Sequence, residues 1–288
     1  MRAARDESCT TTQGNGMNAC IACGGHEATP LYEVGGFMIT QCACGLARTE
    51  LPAGYDPASI YTESYFQGGQ RDGYADYAGS EGLLRQEFRR TLDALPARSG
   101  RLIEMGCAYG FFLDEARKSF KTYGVEVSDA ARASCIARGL EVTSTLDAET
   151  LARGPFDVAV MLDVIEHLIN PGDVLMRLHS AMGPGATLLI TTGDFGSALA
   201  RMMGRRWRLM TPPQHLWFFS QRTLAALLAR HGFRVQRVEH PWKFVPLELI
   251  AYQAARYVGG QSLVRAFPLA GRLPLNLFDA MRVTAIRQ

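Results

Sequence analysis

The sequence predicts an α/β fold, a doubly wound and mostly parallel sheet of seven strands preceded by a small cysteine-rich module. Three observations support this prediction. From residue 100 onwards, short apolar segments alternate with amphipathic ones, which is typical of a parallel sheet with crossover helices. A glycine-rich turn joins the first of these strands to a helix, as in nucleotide-binding α/β domains. Two closely spaced cysteine pairs precede residue 50, outside that alternation.

The composition of the 288 residues is that of a globular enzyme, with 47% apolar and 20% charged side chains. The net charge of +2 provides no basic field, so we expect a small-molecule substrate and no nucleic-acid partner. No run of about 20 apolar residues predicts a membrane span. Because no apolar signal segment opens the chain and its seven cysteines are odd in number, we expect a cytoplasmic protein without disulfides.

The N-terminal part is predicted to contain a disordered leader, residues 1–16, and a zinc-ribbon module, residues 17–50. A hairpin around the two glycines of LYEVGGFMIT would bring the two cysteine pairs together, and four thiolates suit zinc. The predicted zinc ligands are Cys20, Cys23, Cys42 and Cys44. The second pair has the spacing C-x-C, tighter than the usual C-x-x-C. Two alternatives follow, namely that Cys42 binds with distorted geometry or that His26 replaces it. A third alternative is that the four cysteines are reduced and bind no metal.

Residues 51–99 are predicted to form a lid segment followed by a helix. Aromatic residues mixed with Gly, Asp and Ser over residues 55–80 indicate an irregular segment. A helix is predicted over residues 81–95, where five apolar residues share one face. We expect Tyr65 of the irregular segment to cover a bound ligand. The alternative is that the tyrosines there pack the loop onto the body.

Residues 100–288 are predicted to form the main domain, with insertions at residues 193–220 and 241–280. The second insertion is rich in Leu, Phe and Tyr and broken by Pro and Gly. It is predicted to form short amphipathic helices that wall a substrate pocket, rest on a membrane surface or make a homodimer contact. The predicted strands include residues 123–127, 140–144, 156–162, 186–192, 232–238 and 281–287, and the predicted helices include residues 111–119, 129–138 and 221–231.

The turn EMGCAYG carries the first candidate binding residues. Without side chains at Gly106 and Gly110, a ligand can lie against the backbone. Glu104 lies two residues before the first glycine, where its carboxylate would repel a pyrophosphate and attract a cation. Glu126 follows Gly110 by sixteen residues, close to the position at which an acid holds ribose hydroxyls. The turn is therefore predicted to prefer a positively charged nucleoside.

On these residues the chain resembles the class I S-adenosylmethionine-dependent methyltransferases. EMGCAYG is similar to their E/D-x-G-x-G-x-G turn, with Ala108 replacing the middle glycine, and GVEVS is similar to their acidic position after the second strand. The resemblance implies a Rossmann-like methyltransferase fold, an enzyme and S-adenosylmethionine as cofactor. The alternative is an unrelated nucleotide-binding domain. The cofactor-binding residues that it implies are Glu104, Gly106, Cys107, Gly110, Glu126, Val127, Asp147, Asp163 and Tyr65. Asp147 could instead cap the following helix.

A second motif, D-x-x-E-H, follows the predicted strand 156–162. Asp163 ends that strand, and Glu166 and His167 follow by three and four residues, which places all three on one face of a helical turn. The motif resembles the E-x-x-E-H of metal-dependent methyltransferases that act on catechol-like quinols or RNA ribose. This resemblance implies a second divalent ion at Asp163, Glu166 and His167 that polarises a substrate hydroxyl, and makes His167 a catalytic candidate. The alternative is that Glu166 and His167 only hydrogen-bond the turn.

The segment TPPQHLWFFS carries the candidate base, His215, in a loop that two prolines hold extended. A sulfonium methyl is already activated, so its transfer depends mostly on positioning. A base is needed only where the acceptor holds a proton, and an imidazole suits that task. The alternative is that His215 bonds a backbone carbonyl while the aromatic residues belong to the core.

The sequence thus predicts methyl transfer from S-adenosylmethionine to a small-molecule hydroxyl by in-line displacement, with His215 as base. The architecture resembles zinc-ribbon methyltransferases of secondary-metabolite and sugar pathways. Three alternatives stay open, namely C-methylation of a sugar or natural-product intermediate, methylation of a ribosomal-RNA base, and a non-catalytic protein that binds S-adenosylmethionine.

Overall fold

The computed structural model describes residues 19–55, 81–246 and 272–288. The predicted leader, the lid residue Tyr65 and most of the insertion at 241–280 lie outside these ranges, so the predictions made for them stay predictions.

The cysteine-rich module is an antiparallel sheet in the order β1-β2-β3-β9. Strands β1 (Ala28–Val34) and β2 (Phe37–Cys42) pair through the predicted hairpin, whose glycine pair has φ values of +58° and +83°. A two-residue turn with positive φ at both positions is the one that favours glycine. Strand β3 (Ala47–Thr49) adds to β2, and β9 (Trp217–Phe218) comes from the far part of the chain. The module therefore completes its sheet with a strand of the main domain.

The main sheet has seven strands in the order β10-β13-β8-β7-β4-β5-β6, all parallel except β13. The strands are β4 (Gly100–Met105), β5 (Phe120–Val125), β6 (Val142–Thr143), β7 (Phe156–Leu162), β8 (Met182–Gly193), β10 (Phe233–Glu239) and β13 (Ala280–Arg287). The central strands are buried on both faces, as expected of a parallel sheet covered by helices. This confirms the predicted doubly wound, Rossmann-like fold.

Helices connect these strands, and several begin at the caps that the sequence supplies. Ser128 caps α3, Asn170 caps α5, and Ser220 forms a capping box with Thr223 at the start of α7. The helices are α1 (Glu81–Asp93), α2 (Phe111–Ala116), α3 (Asp129–Ala137), α4 (Ala148–Leu151), α5 (Pro171–Ala181), α6 (Ala198–Met203) and α7 (Gln221–Arg230). The insertion predicted to be helical over residues 241–280 has strands at its described ends, because β11 (Lys243–Pro246) and β12 (Arg272–Leu275) pair antiparallel, so the prediction of helices is wrong there.

Helix α1 packs against α2, across the predicted boundary at residue 100. Arg85 pairs with Asp114 and Glu115 at 2.6 and 3.0 Å, and the ring of Phe88 meets that of Phe112 edge to face. The division of the chain into domains stays a prediction, but this helix shares an ion pair and an apolar contact with the main domain.

Several element boundaries differ from the prediction, and two of the differences have a clear structural cause. The helix expected over residues 111–119 ends at Ala116 because β5 begins at Phe120, whose backbone pairs with Gly100 at the start of β4. Strand β8 begins at Met182 rather than residue 186, and the GPGA segment lies inside it. The pairing partners of β7 jump there from Met182 to Thr187, so the extra residues form an irregularity within the ladder.

Candidate active site

The glycine turn after β4 has three residues in the left-handed region, namely Gly106, Ala108 and Gly110, with φ of +66°, +47° and +77°. A Cβ on Gly106 would lie 2.7 Å from Val164 Cγ2, and one on Gly110 would lie 2.5 Å from Leu140 Cδ1. Close packing of the turn against its neighbours therefore requires both glycines. Their contact with a cofactor stays a prediction.

Glu104 is a buried carboxylate beneath this turn. Its Oε2 has no hydrogen-bond partner in the part of the chain that the structure describes. Burial, followed by repulsion from Cys135 and Glu126, holds the pKa of Glu104 well above its usual range. A buried, unpaired carboxylate oxygen would be stabilised by a cation, so this position fits a ligand with a sulfonium and an ammonium group.

Glu126 follows β5 and binds the glycine turn through one carboxylate oxygen and the start of α3 through the other. Oε2 accepts a hydrogen bond from Ala108 N and Oε1 accepts one from Ser128 N, each at 2.8 Å. Burial raises the pKa of Glu126, while these backbone hydrogen bonds lower it. Each carboxylate oxygen can accept a further hydrogen bond, as a ribose hydroxyl would require. The neighbouring Val127 is 58% exposed and offers apolar surface beside the acid.

Two other predicted cofactor residues direct their side chains elsewhere. The Cys107 thiol lies below the turn, 2.8 Å from where a Cβ of Gly124 would be, so its backbone is the part that faces the turn. Asp147 caps α4, because its Oδ1 accepts a hydrogen bond from Thr150 N at 2.8 Å. This is the alternative that the sequence left open, and a role for Asp147 in cofactor binding stays a prediction.

Asp163 follows β7 at the carboxyl edge of the sheet, with φ of +54°. Its backbone N–H donates to the carbonyl of Thr191 at 3.0 Å, and the Thr191 hydroxyl donates to its Oδ1 at 2.9 Å. A left-handed conformation is unusual for a residue other than glycine, Asn or Asp. Asp163 is thus held by β8 at the edge where ligands of open α/β sheets bind.

His167 and His215 lie face to edge, with ring centroids 4.7 Å apart. The Nδ1 of His167 lies 2.8 Å from the carbonyl of Gln214, and the Nδ1 of His215 lies 2.8 Å from the carbonyl of Leu209. Because a carbonyl can only accept, each Nδ1 carries the proton in the neutral ring and each Nε2 is the acceptor. The backbone therefore selects the tautomer of both rings.

Burial keeps both imidazoles neutral. It lowers the pKa of His167, and together with repulsion from His167 it lowers the pKa of His215 to about 3. An imidazole with this pKa is a weak proton acceptor at neutral pH, although it can still bind a cation. The predicted base thus also makes the backbone contact that the sequence left as the alternative.

A candidate metal cluster forms at this point. Glu166, His167 and His215 each offer one donor atom, and these atoms lie within 4.8 Å of one another. Asp163 was the third ligand expected from the motif, but in the described part of the chain His215 completes the group. Within the D-x-x-E-H segment only Ile165–His167 is helical, as a single 3₁₀ turn, and Asp163 with its positive φ lies outside it. One carboxylate and two neutral imidazoles suit a divalent transition metal.

The four predicted cysteines converge in the N-terminal module. Cys20 Sγ lies 3.6 Å from Cys44 Sγ, Cys23 Sγ lies 3.6 Å from Cys42 Sγ, and all four sulfurs lie within 4.8 Å of one another. A tetrahedron with Zn–S bonds of about 2.3 Å places its sulfurs about 3.8 Å apart. Cys42 belongs to this group, and among the described residues His26 does not. The arrangement fits a structural zinc ion.

A further carboxylate–histidine pair joins Asp194 of TTGDFGS, which the sequence offers as a lesser catalytic candidate, to His240, which sequence reasoning missed because it lies far from Asp194 in sequence. His240 Nε2 lies 3.2 Å from Oδ2 of the buried Asp194, which also accepts a hydrogen bond from Gln221 Nε2 at 3.0 Å. Asp194 follows β8 and His240 follows β10, and both strands end at the carboxyl edge of the sheet. Only the strand order brings them together.

Comparison with known proteins places these features in a family. Residues 78–238 match the family model described as a methyltransferase domain. A ubiquinone biosynthesis O-methyltransferase of Caulobacter sp. (strain K31) is 30% identical over 151 residues, which cover 46% of this chain and 59% of that relative. The match thus spans less than two thirds of the relative.

Solved structures share the fold. A methyltransferase from Archaeoglobus fulgidus that depends on S-adenosylmethionine aligns with a TM-score of 0.52 and 18% identity, over 77% of this chain and 98% of that one. The magnesium protoporphyrin IX methyltransferase of Synechocystis PCC 6803, solved with S-adenosylhomocysteine, aligns with a TM-score of 0.51 and 13% identity, over 80% and 98%. Within the described ranges, no helix combines the length and apolar character needed to cross a membrane.

Proposed function

The chain belongs to the methyltransferase-domain family and is an enzyme that depends on S-adenosylmethionine; from this premise we propose that it methylates a hydroxyl oxygen of a small molecule. The observation that carries the proposal is the shared sheet edge, where β4 and β5 supply Glu104 and Glu126 and the loop after β7 supplies Glu166 and His167. The relative from Caulobacter, an O-methyltransferase by name, supports oxygen as the acceptor atom.

On the cofactor side, the residues present fit S-adenosylmethionine. The Glu104 carboxylate offers a negative charge to the cationic groups of the cofactor, and Glu126 offers hydrogen-bond acceptors to its ribose. Val127 offers apolar surface to its adenine ring. When bound, the cofactor supplies a methyl group on a sulfonium that is already a good leaving group. The protein then has to align the acceptor oxygen opposite the breaking carbon–sulfur bond.

On the acceptor side, the new oxygen–carbon bond forms while the hydroxyl loses its proton. His215 was predicted to accept that proton, and its Nε2 is the nitrogen with a lone pair. Its low pKa makes this transfer unfavourable on its own. A divalent ion held by Glu166, His167 and His215 would lower the pKa of the acceptor hydroxyl, so that its proton would pass to water, and this role requires neutral imidazoles. Of the two roles, the geometry and the pKa support ligation better.

The remaining parts of the proposal concern the structural metal, the location and the assembly. We propose that the four-cysteine module holds a structural zinc ion. We also propose that the protein is a cytoplasmic enzyme of secondary metabolism and that it forms a homodimer. The low net charge favours a small-molecule acceptor over ribosomal RNA.

A direct test combines cofactor titration with an acceptor screen. The protein is titrated calorimetrically with S-adenosylhomocysteine and assayed with labelled S-adenosylmethionine against catechols, simple phenols, sugars and an RNA fragment, with and without Mg²⁺ or Mn²⁺. We expect turnover on a hydroxylated aromatic, raised by the divalent ion. Exclusive turnover on RNA or at carbon would overturn the proposal.

His215→Gln tests the acceptor side specifically. We expect turnover to fall about 100-fold, the lower range for a lost proton-transfer or ligand group, while binding of S-adenosylhomocysteine stays within about twofold. His179→Gln is the matched control, because His179 lies in the last turn of α5, at the opposite edge of the sheet. Equal effects of the two substitutions would argue against a role for His215 in the reaction.

A further inference from the structure

Strand β3 of the cysteine-rich module reaches the loop that carries His215. The Thr49 hydroxyl donates a hydrogen bond to the carbonyl of His215 at 2.6 Å, and Thr49 N donates to the carbonyl of Leu216 at 2.9 Å. Beyond these contacts, Ala47 and Arg48 pair with Phe218 and Trp217. The ladder between the module and the main domain therefore ends on His215 itself.

The same loop is held on its other side by the turn that carries Glu166 and His167. Leu216 N donates to the carbonyl of Glu166 at 2.8 Å, and Trp217 Nε1 donates to the carbonyl of Leu168 at 2.8 Å. The loop is thus bonded to two separate elements at once. Its position depends on the module as much as on the main domain.

The contact is packed as tightly as a core. Thr49 is 6% exposed, and Ala47 and Phe218 are 0% and 1% exposed. Leu46 belongs to the same apolar cluster as Phe219 of the main domain. Because these side chains are buried, removing the Thr49 hydroxyl would leave the His215 carbonyl without this hydrogen bond and would weaken its attachment to β3.

The candidate zinc site lies at the start of this strand. Cys42 ends β2 and Cys44 lies in the turn that leads to β3, so an ion bound by both would fix the direction in which β3 leaves the turn. Arg222 of α7 donates to the carbonyl of Cys44 and ties the same turn to the main domain. The cysteine cluster, β3 and the His215 loop form one continuous chain of contacts.

We propose that the cysteine-rich module is a positioning element for the active site, in which β3 and the Thr49 hydroxyl hold the backbone of His215 so that its imidazole keeps a single tautomer beside His167. Thr49 is a positioning residue, since it acts through His215. The inference concerns the geometry of His215 and is independent of the acceptor that the enzyme uses.

The inference is tested by measuring which tautomer the His215 imidazole adopts. Long-range ¹H–¹⁵N spectra of the full-length, zinc-loaded protein report this, and the signals of its six histidines can be assigned by substitution. In the wild type we expect His215 to be protonated at Nδ1. Thr49→Val keeps the shape of the side chain but removes the hydroxyl, and should shift the His215 nitrogens towards the average of two tautomers. Thr49→Ser should restore the wild-type spectrum, which loss of packing alone would not predict.

Thr40→Val is the matched control. Thr40 lies in β2 of the same module, and its hydroxyl donates to Glu50 Oε1 at 2.7 Å rather than to the His215 loop. We expect this variant to leave the His215 signals unchanged and, like Thr49→Val, to bind S-adenosylhomocysteine within about twofold of the wild type. A wild-type His215 spectrum in Thr49→Val, or an equal change in Thr40→Val, would overturn the inference.

Zinc removal gives a second measurement in case Thr49→Val does not fold. Starting from protein whose single zinc per chain is bound by the cysteines, with no divalent ion added to the site of Glu166, His167 and His215, a strong chelator should change the His215 signals while binding of S-adenosylhomocysteine persists. Unchanged His215 signals after complete zinc loss would contradict the inference. Because neither measurement uses turnover, both stand apart from the test of the proposed reaction.

Discussion

The cofactor side and the acceptor side of the site are built in different ways. Glu126 reaches the glycine turn across 18 residues, within one strand–turn–helix–strand unit. Thr49 reaches His215 across 166 residues, and His167 reaches Gln214 across 47. The first side is thus a local motif, whereas the second is assembled from three separate elements. A local motif survives as long as its own unit folds, but an assembled site depends on every contact between its parts.

The two sides also differ in charge. Glu104 and Glu126 are buried carboxylates whose pKa values are raised by burial, which a bound cation would reverse. His167 and His215 are imidazoles that burial keeps neutral. Neutral rings add no positive charge next to a sulfonium. The carboxylates therefore suit a cationic cofactor on one side, and the neutral imidazoles suit an acceptor that must lose a proton on the other.

The largest expected effect is a loss of cofactor affinity that leaves the acceptor side unchanged. Glu126→Ala removes the acceptor for Ala108 N and Ser128 N as well as the predicted ribose contact. We expect the affinity for S-adenosylhomocysteine to fall about 100-fold, because hydrogen bonds to a charged group contribute about 1.5–3 kcal/mol each. Calorimetric titration measures this loss, and zinc content should stay at one per chain.

Glu141→Ala is the control for this change. Glu141 is half exposed and pairs with Arg153 at 2.7 Å, away from the turn. Its removal should change cofactor affinity less than twofold, since an exposed ion pair contributes little. Affinity loss of similar size in both variants would mean that Glu126 has no specific role.

A smaller effect concerns the acceptor side and depends on pH. Asp279 accepts hydrogen bonds from Trp207 Nε1 and from Arg208, each at 2.9 Å, next to the loop whose Leu209 carbonyl binds His215. Burial alone would raise the pKa of Asp279, but the bonds from Arg208 and Trp207 outweigh it and lower the pKa. Its stabilising effect is therefore complete above the unfolded value of about 3.9 and is lost as pH falls through the lower folded value.

Asp279→Asn should accordingly destabilise the protein at pH 7 and by less as the pH approaches 3. We expect a loss of about 1–3 kcal/mol at pH 7, the usual cost of a broken buried charged hydrogen bond. Thermal unfolding at pH 7, 5 and 3 measures the difference. Asp173→Asn, which removes an exposed pair with Arg177, should cost under about 1 kcal/mol at each pH. A constant deficit for Asp279→Asn would contradict the assignment.

The smallest expected effect is a change in melting temperature caused by a substitution in the glycine turn. Ala108 replaces the middle glycine of the motif and adopts φ of +47°. That conformation costs an alanine about 1–2 kcal/mol, while glycine loses about 0.5–1 kcal/mol in chain entropy. Ala108→Gly should therefore raise the melting temperature by about 2 °C. Ala130→Gly, at an exposed helical position in α3, should lower it, and a decrease in both variants would show that Ala108 is unstrained.

The contacts of two predicted site residues show where a linear pattern is insufficient. Asp147 was expected at the cofactor, yet its carboxylate caps α4, because a cap needs only an acid three residues ahead of a free N–H. Asp163 was expected beside Glu166 and His167 on a helical face, but the turn is 3₁₀ and Asp163 is bonded to Thr191 of β8. In both cases the spacing was compatible with two geometries, and neighbouring elements selected one.

The sequence alone predicted the order of helices and strands along the chain, the glycine turn and the two cysteine pairs, because each depends on residues only a few positions apart. Only the tertiary structure decided that His215 joins Glu166 and His167, that Asp194 meets His240, and that Thr49 of the cysteine-rich module binds the His215 loop. These contacts arise where strands from distant parts of the chain end at one edge of a sheet. Which strands become neighbours depends on the packing of the whole core, so the spacing of residues close in sequence does not predict these contacts.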